Sequence, residues 1–276
     1  MSWTMRVYMN KKKLNKKISD VKIYNEANIF PQTEHVLQNY YESISNSQNL
    51  ETHCIKSLYS IFLVLGSKVI NYIDAIAGLM QLLLKQTANG YSFSSIQYIF
   101  ECLSLVIETV SKDAGAQKKL LDSVLVQLNE LMNKGSNDMT SFLLQIYALI
   151  IKNCTSLGGQ EKKIIFESLL DQKNYQQDFV SLFPTYSLFF QEYVNHDASV
   201  VVNYSNALQN VCAKFLEFRI DNAFFSLLTK IFYAVDLNAF VNSSWFGFLI
   251  NAGLSVISMT SANSDIASAR PLFFKE

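Results

Sequence analysis

Residues 93–111, FSSIQYIFECLSLVIETVS, constrain this chain more than any other stretch. Phe93, Ile96, Phe100, Leu103, Ile107 and Val110 recur at steps of three and four, the spacing of one α-helical face. Tyr98, Ile99, Cys102, Leu105 and Val106 widen that face until Ser94, Gln97, Glu101, Ser104 and Glu108 are left as a narrow polar ribbon. A helix apolar around most of its circumference has to be covered on more than one side. The flanking helical patterns, 69–87 and 116–134, are the expected cover. This points to a stacked array of helices rather than to a pocket.

The rest of the chain reads the same way. Nine glycines and three prolines in 276 residues are too few for a parallel sheet or a series of hairpins, so the fold class is all-α. Helical patterns are expected over 34–45, 51–65, 69–87, 93–111, 116–134, 140–154, 161–171, 178–194, 204–219, 223–235 and within 239–259. Gly66 is expected to end the second of these in a left-handed turn. Pro184 should kink its helix or begin a new one.

Thoroughly apolar helices, each with one cysteine, alternate with helices that carry a distinct polar stripe. Cys54, Cys102, Cys154 and Cys212 are spaced 48, 52 and 58 residues apart. Helical-hairpin arrays of the HEAT type repeat at about 40–47 residues, and no unit buries its face alone. The expected architecture is therefore an α-α superhelix, a HEAT-repeat solenoid of antiparallel hairpins. Residues 32–276 would form one elongated array of about five hairpins, and residues 1–31 the end of a preceding helix plus a basic loop. None of the cysteines pairs as CxxC, so buried free thiols in a reducing compartment are expected.

The 23 basic and 23 acidic residues balance, yet residues 1–23 hold seven basic residues against Asp20 alone, leaving the remainder net −6. An acidic body argues against nucleic-acid binding, which rests on clustered Lys and Arg. The run KKKLNKK at 11–17 is a nuclear-import signal or an exposed basic loop. The best membrane-span candidate, 239–259, is interrupted by Asn242, Ser243, Ser244, Asn251 and Ser255, so no membrane insertion is expected.

Catalytic signatures are missing from the sequence. His35, His53 and His196 fall in separate helical units, and no HExxH, GxSxG or GxGxxG occurs. His53 and Cys54 are helical neighbours about 100° apart and would not face each other. The aromatic cluster Phe179, Phe183, Tyr186, Phe189, Phe190 and Tyr193 reads as core filling between stacked helices. No catalytic residue, cofactor or metal site is nominated.

The runs CIKSLY (54–59), VINYID (69–74), LMQLLL (79–84) and QYIFECLSL (97–105) resemble the CAS-type exportins, the importin-α re-exporters of the importin-β (karyopherin) superfamily. WTMR (3–6), FLLQIYAL (142–149) and the segment 215–232 are similar to them as well. The resemblance is densest over 51–152. Exportins of this kind are several times longer, so it implies a fragment of their middle-to-C-terminal HEAT repeats. It further implies importin-α and Ran-GTP as partners through the full-length protein, with nucleoporins as a further class, and shuttling between nucleus and cytoplasm. The family's principal Ran-binding surface lies in N-terminal repeats outside this chain. The departures are the Lys-rich insertion after Arg6 and the weaker similarity beyond Gln160.

No family motif marks a contact residue, so the candidates come from the stripes. In a hairpin array one layer of helices lines the concave, partner-binding side. Asn71, Asp74, Gln81 and Lys85, with Asp122, Gln127 and Glu130, are nominated as that surface; an ordinary solvated face accounts equally well for any one of them. A generic α-solenoid scaffold with other protein partners is the alternative reading.

Overall fold

A computed structural model describes residues 32–46, 52–87, 93–134, 137–170, 179–218, 222–234 and 244–260. The basic run 11–17, the stretch 3–6 and the apolar ending at 271–274 lie outside the described residues. Among the described residues the chain is helical, with no strand.

The helices are α1 (Thr33–Asn46), α2 (Thr52–Leu65), α3 (Ile73–Thr87), α4 (Phe93–Thr109), α5 (Ala114–Lys134) and α6 (Asn137–Asn153). They continue as α7 (Gly159–Leu170), α8 (Phe179–His196), the single turn α9 (Val200–Asn203), α10 (Ser205–Phe218), α11 (Asn222–Ala234) and α12 (Ser244–Thr260). Two 3-10 segments, Gly66–Tyr72 and Val110–Lys112, join α2 to α3 and α4 to α5.

Local chemistry explains several of these boundaries. Gly66 has φ 52°, the left-handed conformation that a Cβ disfavours, and α2 ends there as expected. The polar stripe expected to be helical from residue 69 opens as the 3-10 segment and becomes α-helical only at Ile73. Asp113, extended at φ −122°, caps α5: its Oδ1 accepts the Ala116 N–H at 2.8 Å. Pro184 neither ends α8 nor starts a new helix; α8 runs through it, with the ring exposed.

The chain divides into two compact units. The first comprises Met1–Phe142 and Asn153–Ser156. In it, α1 packs on α3 and α3 on α5, while α2 packs on α4, so consecutive helices fall in alternate rows. Each helix meets the next but one. Phe100 of α4 stacks on Phe142, which extends the α2–α4 row.

The second unit comprises Leu143–Lys152 and Leu157–Glu276. Here α8 packs on α11, and α10 touches both α7 and α12. Lys152 of α6 reaches Glu192 of α8 at 3.2 Å, so alternate helices again meet. Trp245 of α12 is buried and donates its indole N–H to the Val201 carbonyl at 2.9 Å. The aromatic residues Phe183, Tyr186, Phe189, Phe190 and Tyr193 of α8 are buried core, as their density predicts.

The cover of α4 differs from expectation. Its main neighbour is α2, with α3 and the 3-10 segment touching it less, and α5 is not a principal partner. Row-wise stacking is the reason: α5 belongs to the row of α1 and α3. The middle of the polar ribbon of α4 is consequently enclosed, with Glu101 and Ser104 buried and Gln97 and Glu108 half-buried, while Ser94 at its start stays exposed. Gln97 donates to Glu101 Oε1 at 2.8 Å, and Ser104 returns its hydroxyl to the Phe100 carbonyl. Of the cysteines, Cys102, Cys154 and Cys212 are buried free thiols, whereas Cys54 is only half-buried.

One described stretch, Thr52–Thr87, is long and apolar enough by length and composition to cross a membrane; the 239–259 candidate lies partly outside the described residues, and its stretch Ser244–Leu254 is a shorter apolar helix. Core helices meet the same two criteria. Gly66 divides this stretch, and Ile55, Leu58, Phe62, Ile76, Leu79 and Leu83 pack inward from its two halves.

Candidate functional surface

The surface is built on α3 and α5. On α3, Asp74, Gln81 and Lys85 follow one another at steps of seven and four, so they share a face opposite the buried Ile76, Leu79 and Leu83. All three are exposed. On α5, Lys119, Asp122, Val126 and Glu130 share the corresponding face at steps of three, four and four, opposite Leu121, Val124 and Leu128. These four are exposed too.

Lys119 ties the helices together. Its Nζ lies 2.8 Å from Asp74 Oδ2, with both side chains mostly in solvent (54% and 76%). An exposed pair like this contributes about 0–1 kcal/mol. Its value is geometric, because it shows that the two polar stripes open onto the same side of the row. Tyr41 of α1, 43% exposed, extends that side: its Cε2 lies 4.0 Å from where a Cβ on Gly78 would stand.

Six of the seven nominated residues are exposed. Asn71 sits on the 3-10 segment, while Asp74, Gln81, Lys85, Asp122 and Glu130 lie on the two helix faces. Gln127 does not join them. It is half-buried about 100° round the helix from Val126, and its Oε1 is enclosed without a hydrogen-bond partner among the described residues. Sequence reasoning placed Lys119 on the outward face of this helix without nominating it, and missed Val126 and Tyr41 as members of the surface. The spacing from Lys119 to Asp122, Val126 and Glu130 carried the signal for α5; nothing local carried it for Tyr41.

Groups with shifted acidity lie elsewhere and have structural causes. Burial pushes the Cys102 thiol well up, with Glu101 adding to it, and burial alone raises Cys212, so both stay protonated and poorly nucleophilic. Tyr59 is pushed up to about 12, first by burial and then by Glu101. His196 is lowered by burial and by Lys162, whose Nζ stands 3.3 Å from His196 Nε2, against an opposing effect of Asp197. His35 and His53 are exposed on α1 and α2. Among the described residues no three His, Cys, Asp or Glu side chains gather closely enough to hold a metal ion. What the α1–α3–α5 side offers is a mixed-charge surface suited to contact over a large area.

No protein-family model, no curated protein and no solved structure matches this chain.

Proposed function

We propose that this chain is a HEAT-type α-solenoid segment of a CAS-type exportin that acts by protein binding and not by catalysis. In this reading the complete protein carries importin-α out of the nucleus together with Ran-GTP and shuttles between nucleus and cytoplasm. The supporting sequence is the run of similarities over 51–152. The supporting structural observation is the alternation of rows in the first unit, which leaves the polar faces of α3 and α5 open on one side and joined by Lys119 and Asp74. Hairpin arrays bind folded partners on such a row of parallel helices.

Asp74, Asp122 and Glu130 are the acidic contacts of that row. Reversing all three to lysine in the complete protein should weaken binding to importin-α plus Ran-GTP. Each change sits on an exposed position, so the fold should survive. Unchanged affinity would remove this side from the binding surface. Binding of importin-α that Ran-GTP fails to strengthen would favour a scaffold with other protein partners.

A further inference from the structure

Helix α12 carries no charged residue, and one of its sides is uncovered. Trp245 and Ala252 are buried on its packed side, and the helix meets α10. Phe246, Ile250 and Leu254 recur at steps of four on another side and are 41%, 48% and 59% exposed. Among the described residues no other helix exposes more than two large apolar side chains. Gly253 and Gly247 flank this stripe at about 100° per residue, and a Cβ added to either would meet nothing within 4 Å.

An uncharged face gives an ionic partner nothing to pair with, so an apolar segment is its fitting occupant. Residues 261–276 lie outside the described residues, but their sequence, SANSDIASARPLFFKE, holds one strongly apolar run, PLFF at 271–274. Ten residues separate that run from Thr260, a span of up to about 33 Å. Along α12, Leu254 lies about 9 Å and Phe246 about 21 Å back from Thr260, so this connector reaches the whole stripe. The residues before α12 do not. Val241 is three residues from Ser244, about 10 Å at full extension, while Leu254 lies about 15 Å along the axis. Area disfavours a second copy, because three half-exposed side chains fall far short of the roughly 800 Å² per partner of a stable interface. A short tether instead supplies a local concentration in the millimolar range. We propose that the segment 271–274 folds back along α12 and packs Leu272, Phe273 and Phe274 on Phe246, Ile250 and Leu254. The glycines on either side let the rings approach the helix backbone. Covered in this way, the flank of α12 is closed to other copies of the chain.

The binding role of the α1–α3–α5 side is not needed for this docking, and the test reads α12 alone. In the full chain carrying Cys54→Ser, Ile250→Cys with Phe273→Cys should form an intramolecular disulfide on oxidation with diamide, at a rate independent of protein concentration. It should form at least about tenfold faster than the disulfide from Ile164→Cys with Phe273→Cys. Ile164, on α7, is 54% exposed and belongs to the same unit. Separately, Phe273→Asp with Phe274→Asp should speed amide exchange in α12 by about tenfold and leave α8 and α11 unchanged. A crosslink at position 250 no faster than at 164, or exchange in α12 indifferent to the two aspartates, overturns the proposal. Disulfide-linked dimers from Ile250→Cys alone would assign the face to a second copy instead.

Discussion

Phe100 of α4 and Phe142 of α6 stack with ring centroids 5.3 Å apart and planes within 8° of parallel. Phe100 is fully buried and Phe142 nearly so, and 42 residues separate them in sequence. The pair marks where one apolar helix of the row is closed by the next.

Phe100→Ala should therefore cost about 3–5 kcal/mol, the usual range for removing a buried aromatic ring. Urea unfolding of the variant and the parent checks this. A loss well under about 1 kcal/mol would mean that α4 is not enclosed as described.

Gln117 supports a second prediction. It is fully buried, gives its amide N–H groups to the Ser111 and Asn153 carbonyls at 2.7 and 3.2 Å, and accepts the Ser156 N–H at 3.0 Å. All of these groups belong to the first unit. Gln117→Ala withdraws both donors and the acceptor at once, and each buried group left unpaired costs about 1–3 kcal/mol. Hydrogen exchange at the Ser156 amide should accelerate markedly, and Gln117→Glu, which keeps an acceptor, should protect that amide better than alanine does.

His196 gives a prediction with a sign. Its imidazole is held below the ordinary value of 6.5 by burial and by Lys162, with Asp197 opposing; Tyr193 packs edge-on against the ring. The folded state therefore binds its proton less readily than the unfolded chain. Stability should be intact above about pH 6.5 and fall as pH drops below it toward the depressed folded value. His196→Gln should flatten that part of the pH–stability profile. A profile that keeps the same slope would assign the loss to other groups.

At the alkaline end, Tyr59, Tyr186 and Tyr193 are each raised to about 12, chiefly by burial. Unfolded tyrosines ionise near pH 10, so these rings supply stability that is present below about pH 10 and lost as pH rises toward 12. Phenolate absorbance should rise in two stages, with the later one disappearing in denaturant. A single stage near pH 10 in the folded protein would contradict the burial of these rings.

Helix identity and the two polar stripes were legible in the sequence because both depend on local periodicity. Gly66 was legible because one residue type relieves one steric conflict. The enclosure of Glu101 and Ser104 was not, since it depends on α2 lying across α4, and periodicity says which face is apolar without saying which helix covers it. Gln127 shows the same limit at single-residue scale, one helical step from Val126 and already turned inward. Tyr41 was invisible as a neighbour of Gly78, because 37 residues separate them and only row-wise packing brings them together.

The left-handed turn at Gly66 reaches further than its own loop. Without it, Thr52–Thr87 would run as one rod of about 54 Å, and a straight rod cannot belong to two rows at once. The turn thus sets the parity of the first unit, putting α2 in one row and α3 in the other, with α4 and α5 inheriting the count. A substitution that straightened it would take α2 and α3 out of their separate rows and leave their apolar faces without α4 and α5 to cover them.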